Sequence, residues 1–136
     1  MKAAKFDYIR AGSLDEAVAQ LGADDFGTKI LAGSQSLGPM LNLRLARPGK
    51  LVDISAAAPL RTVEKQSDGI RIGAAVTHAE IEDGVHEALR GHMMHYVAGR
   101  IAYRAVRNRG TIGGSLAHAD PAADWVLVTH VLDAVL

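Results

Sequence analysis

Apolar and polar positions switch between period two and period 3.6 along this chain, and the switches mark its elements. Lys5 to Ile9 predicts a short first strand. Ser13-Leu14-Asp15-Glu16 has the capping-box arrangement, Ser13 toward the Glu16 N–H and the Glu16 carboxylate reaching back. Leu14, Ala17, Val18 and Leu21 then share one helical face until Gly22 stops it. Thr28 to Ala32 reads as a short buried strand, so the chain opens strand–helix–strand. Leu37 to Leu45 predicts a short helix whose start Gly38 and Pro39 weaken. Pro48-Gly49 is a turn and Leu51 to Ile54 another strand. Val63 to Lys65 and Gly69 to Val76 predict a hairpin around Ser67-Asp68-Gly69. Thr77-His78-Ala79-Glu80 repeats the capping box and opens helical sequence, interrupted at Gly84 and Gly91, that runs toward Arg104. Asp120-Pro121, an N-cap before a proline at the first helical position, starts a last helix.

Composition narrows the function classes. The 136 residues fit one domain. Fifteen basic residues cancel fifteen acidic ones, which removes the basic field a nucleic-acid binder needs. Without cysteine the chain carries no disulfide, no thiolate zinc site and no iron–sulfur cluster of its own. No apolar run reaches the roughly 18 residues of a membrane span, and the start lacks the apolar stretch of a signal peptide; the default is cytoplasmic. The end is apolar, from Trp125 through Val131-Leu132 to Val135-Leu136, with no cap or polar tail. That pattern reads as a fragment, or as a chain whose end a partner covers.

Two glycine loops carry the chemistry: Ala32-Gly33-Ser34-Gln35-Ser36 after a predicted strand, and Thr111-Ile112-Gly113-Gly114-Ser115. Glycine lets backbone N–H groups approach an anion closely, and Ser or Thr adds a hydroxyl donor. Either loop alone reads equally as a plain turn; together they suggest a pyrophosphate gripped from two sides. Neither is the dinucleotide G-x-G-x-x-G or the P-loop. Arg104, Arg107 and Arg109 read either as a positive rim or as a solvated helix end, and Asp124 either as an acceptor for ligand hydroxyls or as a dipole-compensating acid.

Ala32-Gly33-Ser34-Gln35-Ser36-Leu37 with Pro39-Met40 and Leu43-Arg44-Leu45-Ala46 resembles the first FAD-binding signature of the molybdenum hydroxylase flavoprotein subunits, the medium subunits of the carbon monoxide dehydrogenase and xanthine dehydrogenase group. Val106 through Asp124, with Arg107-Asn108-Arg109-Gly110 and Thr111 to Ser115 inside it, resembles the second signature, and Gly73 to His78 the family's middle segment. The resemblance implies an α+β, PCMH-type (vanillyl-alcohol-oxidase-like) FAD-binding fold. Residues 1–55 would form a first α/β subdomain and residues 56–136 the start of a second, incomplete at its C-terminus, with the flavin between them.

By motif position, Lys29, Ile30, Leu31, Ala32, Gly33, Ser34, Gln35 and Ser36 would run along the FAD. Thr111, Ile112, Gly113, Gly114 and Ser115 would hold its diphosphate from the other side, Asp124 would meet the ribityl region, and His118 would lie near the cofactor. Ser34 stands where the family more often has glycine. The implied activity is electron transfer by an oxidoreductase subunit with no catalytic acid or base on this chain. Electrons come from two [2Fe–2S] clusters on a small subunit, a large subunit carries the molybdopterin cofactor, and an external acceptor receives the electrons. The expected assembly is a dimer of heterotrimers.

Rival readings are a stand-alone PCMH-type flavin oxidase, disfavoured because neither cysteine nor a first-loop histidine is present to tether flavin, and a truncated non-catalytic nucleotide-binding or subunit-contact module. His92 and His95 stand at i, i+3 with His86 near, but no carboxylate completes a ligand set, so packing is the better reading and no metal site is expected. His78 reads as local structure, His130 as a core or interface histidine, and Trp125 as core packing ahead of cofactor contact. Ser36 and Ser115 lack the elbow and base a hydrolase needs.

Overall fold

The computed structural model describes residues 1–22 and 27–136. Strand β1 (Asp7–Arg10), helix α1 (Leu14–Gly22), strand β2 (Thr28–Leu31), helix α2 (Leu37–Asn42) and strand β3 (Lys50–Asp53) come first. The strands form a parallel sheet in the order β1-β3-β2. Tyr8 and Lys29 both stand level with Leu51, and Arg10 and Leu31 both stand level with Asp53. The carboxyl ends of all three strands therefore point the same way, and the first glycine loop leaves the carboxyl end of β2. In open parallel sheets that edge is where ligands bind. The core beneath is small: Ala11, Ala17 and Val52 are buried, with Ile30 and Ile54 against them. Ser13 caps α1 through the Glu16 N–H, but the Glu16 carboxylate reaches past Ser13 to the Gly12 N–H at 2.8 Å.

Strands β4 (Val63–Lys65) and β5 (Ile70–Ile72) form an antiparallel hairpin. The apolar pattern extends β5 to Val76, yet the strand stops at Ile72. Gly73 N–H and Ala75 N–H donate to Thr62 and Leu60 carbonyls, and the segment becomes a seat for the second glycine loop. The helical stretch after it breaks into α3 (His78–Glu82), a 3-10 turn at Glu87–Leu89, α4 (Met93–Ala98) and α5 (Arg104–Arg107). Gly84 and Gly91 sit at φ +63° and +73°, where a right-handed helix cannot continue. Thr77 completes a full capping box with Glu80 at the start of α3.

Helix α6 (Ile112–His118) follows the second loop, and α7 (Asp124–Val131) closes the chain. The last helix starts later than Asp120-Pro121 suggests, because Asp120 spends its carboxylate on a local turn with the Ala122 N–H. The second core is the larger: Val76, Ile81, Leu89, Met94, Ala98, Ile112, Trp125 and Val128. No helix among the described residues is long and apolar enough to cross a membrane.

Candidate functional site

The first loop is a run of open donors. Ser34 lies at φ 61°, the left-handed region, which folds the chain back so that the Ser34 carbonyl accepts from Gly38 N–H at 3.0 Å. A Cβ on Gly38 would come within 2.9 Å of Ser34 Oγ, so glycine there makes room for the serine. Gln35 braces the loop from within, its amide donating to the Gly33 carbonyl at 2.9 Å. Among the described residues nothing accepts from the N–H groups of Gly33, Ser34, Gln35 or Ser36. The Ser36 side chain makes no cap bond to α2. Consecutive unspent N–H groups around a left-handed residue form the concave anion-binding arrangement called a nest. Ala119 at φ 54°, just after α6, is a second left-handed non-glycine position beside the sequence-predicted site residues. Such strained backbone collects at functional sites.

The second loop is a wall rather than a second set of donors. Ile112 and Gly113 N–H donate to the Val76 and Ala74 carbonyls, Gly114 N–H to Thr111 Oγ1, and Ser115 N–H to the Thr111 carbonyl. Its glycines serve close approach: a Cβ on Gly113 would lie 2.4 Å from the Ala74 Cβ. A Cβ on Gly114 would face Ala32 of the first loop at 4.0 Å. Just ahead, the Arg109–Gly110 peptide lies on Gly33 so tightly that a Cβ there would meet Arg109 O at 2.0 Å. The fold thus brings both loops together, as a nest of donors against a smooth glycine face.

Behind that face stands His78, buried at 5% exposure. Its N–H donates to the Gly110 carbonyl at 2.9 Å, and its Nδ1 accepts from Trp125 Nε1 at 3.0 Å. An indole only donates, so His78 carries its proton on Nε2. Burial, helped by the Arg107 charge, pulls its pKa down from 6.5 to about 4. Trp125 is fully buried in the second core, next in sequence to the exposed Asp124.

Arg104 and Arg107 form no rim around the loops. Arg107 forks onto Glu82 at 2.7 and 2.9 Å and donates to the Ile101 and Ala102 carbonyls. Arg104 pairs with Asp83 and Glu82. The Arg107 hydrogen bond holds the Glu82 carboxyl below its ordinary range. These arginines tie α5 to α3 rather than standing as a free positive rim, and Arg104 stays half-exposed in that pair. Arg109 is exposed, with no ion pair among the described residues.

Of the other sequence-predicted residues, Lys29 is exposed on the edge strand β2, with Ile30 and Leu31 half-buried after it. Thr111 is buried, Ser115 half-buried and His118 exposed at the end of α6. His92 caps α4 by accepting from Met94 N–H, and His95 Nδ1 lies 3.1 Å from the Ile81 carbonyl, so both do structural work. His130 is exposed rather than in the core. Sequence reasoning missed Glu82 and the bracing role of His78. The repeated capping box at Thr77 and Glu80 was the one local sign that this segment is anchored.

The deciding comparison is with families. Residues 4–136 match the model of the FAD binding domain in molybdopterin dehydrogenase. The chain belongs to that family. This FAD-binding domain is 44% identical over 136 residues to the 6-hydroxypseudooxynicotine dehydrogenase complex subunit alpha of Paenarthrobacter nicotinovorans, covering 98% of the chain and 45% of that protein. It is 39% identical over 132 residues to the glyceraldehyde dehydrogenase medium chain of Sulfolobus acidocaldarius, covering 97% and 47%. Among solved structures, a carbon monoxide dehydrogenase from Hydrogenophaga pseudoflava superposes with a TM-score of 0.89 at 36% identity, over 95% of this chain and 45% of that one. Quinoline 2-oxidoreductase from Pseudomonas putida 86 gives the same TM-score, identity and coverage. The fold is therefore the α+β fold of FAD-binding medium subunits. The chain spans less than half the length of the relatives it matches.

FAD, the family's cofactor, fits the residues present. A diphosphate needs several N–H donors without a protein acceptor, and among the described residues Gly33 to Ser36 offer four in succession. It also needs a surface without side chains near them, and Gly114, exposed and facing Ala32 of the first loop, provides one.

Proposed function

We propose that this domain is the cofactor-binding part of the medium subunit of a multi-subunit molybdenum hydroxylase. Such a subunit passes electrons from iron–sulfur clusters to an external acceptor. When bound, FAD supplies the redox chemistry, and the protein's task is to bind and orient it. In this reading the N–H groups of Gly33, Ser34, Gln35 and Ser36 hold the diphosphate, with Lys29, Ile30, Leu31 and Ala32 leading up to it. Thr111, Ile112, Gly113, Gly114 and Ser115 form the opposing wall, where the Ser115 hydroxyl is the group left to donate. Asp124 accepts from ribityl hydroxyls, and His118 flanks the cofactor. Residues 1–55 and 56–136 act as the two halves of the cleft. No residue here is assigned acid–base or nucleophilic work. The partners are a small subunit with two [2Fe–2S] clusters and a large molybdopterin-binding subunit, in a cytoplasmic dimer of heterotrimers.

The observation that carries the reading is the nest of unspent donors at residues 33–36 facing a glycine wall. Purified protein tests it directly. The expected result is a yellow protein that releases FAD on denaturation, rebinds added FAD, and loses it to ADP but not to FMN, since the diphosphate is what the nest recognises. A folded, colourless protein that takes up neither FAD nor ADP overturns it.

A further inference from the structure

His78 lies outside every segment assigned to cofactor contact, yet it sits where the two loops are fixed in height. Three contacts run in series. Trp125 Nε1 donates to His78 Nδ1 at 3.0 Å. The His78 ring stands against Gly110, where a Cβ would come within 2.7 Å of Nε2. The Arg109 carbonyl, one peptide earlier, rests on Gly33 so closely that no side chain fits between. Moving the ring moves the Arg109–Gly110 peptide, and that peptide is the surface on which the nest is seated.

We propose that His78 is a positioning residue for the FAD clamp: its neutral ring, pinned by Trp125, is the spacer that holds the Arg109–Gly110 peptide against Gly33. The inference rests on the reading of Gly33 to Ser36 as the diphosphate nest.

The ring works as a spacer only while Nδ1 has a lone pair. A proton on Nδ1 would set an N–H against the indole N–H, and the bond to Trp125 would be lost. The surroundings oppose that proton. Burial opposes it first, and the Arg107 charge of α5 adds to that by disfavouring a second positive charge. Around the ring, α7 presents the Trp125 indole and the second loop presents the Gly110 backbone, neither of which titrates. Glu80 of α3 is turned away into its capping box with Thr77 and its pair with Arg61.

The test is FAD affinity against pH, read by flavin fluorescence on the full chain, with folding followed by circular dichroism. Trp125→Phe removes the indole donor and unpins the ring, which stays buried beside Arg107. Its affinity should fall at least about tenfold at both roughly pH 8 and pH 5, while wild type changes little between them. His78→Asn places an amide oxygen where Nδ1 was, cannot titrate, and should keep FAD affinity within about threefold of wild type at both pH values. His78→Phe, with no acceptor for Trp125, should lose about tenfold or more at both, the loss of one phosphate-directed donor through a displaced nest.

Wild-type FAD affinity in Trp125→Phe, equal affinity in His78→Phe and wild type, or equal loss in His78→Asn and His78→Phe overturns the proposal. If Trp125→Phe does not fold, the contrast between His78→Asn and His78→Phe decides it alone. Wild-type protein that binds neither FAD nor ADP instead overturns the nest reading beneath it, so the two failures are distinguishable.

Discussion

Gly33→Ala is the sharpest perturbation of the site. The position has no left-handed φ, so alanine meets no backbone penalty there and the whole effect is steric. The new Cβ would lie 2.0 Å from Arg109 O, 2.6 Å from its carbonyl carbon and 2.7 Å from Gly110 Cα. Ordinary contact begins at 3.4 Å, so the loops must part by about 1.4 Å, the difference of those two distances. All three obstacles are backbone, so no side-chain rotation relieves them. Overpacking of this kind costs about 1–3 kcal/mol. The parted nest also loses at least one N–H aimed at a phosphate, worth about 1.5–3 kcal/mol, so the FAD dissociation constant rises by roughly 10- to 100-fold. Gly22→Ala is the control, since a Cβ there meets nothing within 4 Å among the described residues. Thermal melts with and without FAD, together with FAD titration, read both effects. Unchanged stability and FAD affinity in Gly33→Ala would refute the claim that this contact sets the clamp.

Two further predictions concern the supports. Because His78 has a folded pKa of about 4 against 6.5 in the unfolded chain, the unfolded state takes up its proton first as pH falls. Its contribution is therefore complete above pH 6.5 and is lost between 6.5 and about 4, amounting to about 3 kcal/mol at most. Denaturant melts across that window should show the loss in wild type and a shallower slope in His78→Asn; identical slopes count against a buried neutral histidine. Arg107→Met removes a guanidinium that is only 12% exposed and leaves Glu82 to Arg104 alone, so we expect a loss of about 2 kcal/mol. Asp83→Asn, at an exposed pair, should cost much less, and a reversed order of the two in chemical denaturation would refute the assignment of Arg107 as the structural tie.

What could be read from the sequence was local. The strand–helix–strand start, the Thr77 capping box and the glycine loops depend on residues within a few positions of each other, and they form where the pattern puts them. The errors arose where distant residues compete. Strand β5 yields Gly73 to Val76 to the second loop, which arrives from residues 112 and 113. Arg104 and Arg107 turn toward acids more than 20 positions back rather than toward the loop they precede. The His78–Trp125 bond spans 47 positions, and no periodicity encodes it. The second loop's spent donors were equally invisible, because a glycine that admits a ligand and a glycine that admits Ala74 look the same in sequence.

The two cores are unequal, and the nest sits on the weaker one. Among the described residues the first cluster joins Ala11, Ala17 and Val52, with Leu51 buried beside it on β3, against eight residues in the second core. The smaller cluster gives the first sheet less cohesion of its own. Its loop, braced from within by Gln35 and Gly38, meets the rest of the chain through the glycine contact with Arg109 and Gly110. A ligand that spans this seam therefore acts as a fastener for the parallel sheet as well as a cargo. Binding should raise the melting temperature with ligand concentration. It should also slow amide exchange most in β2 and the loop after it, far more than in the core around Trp125.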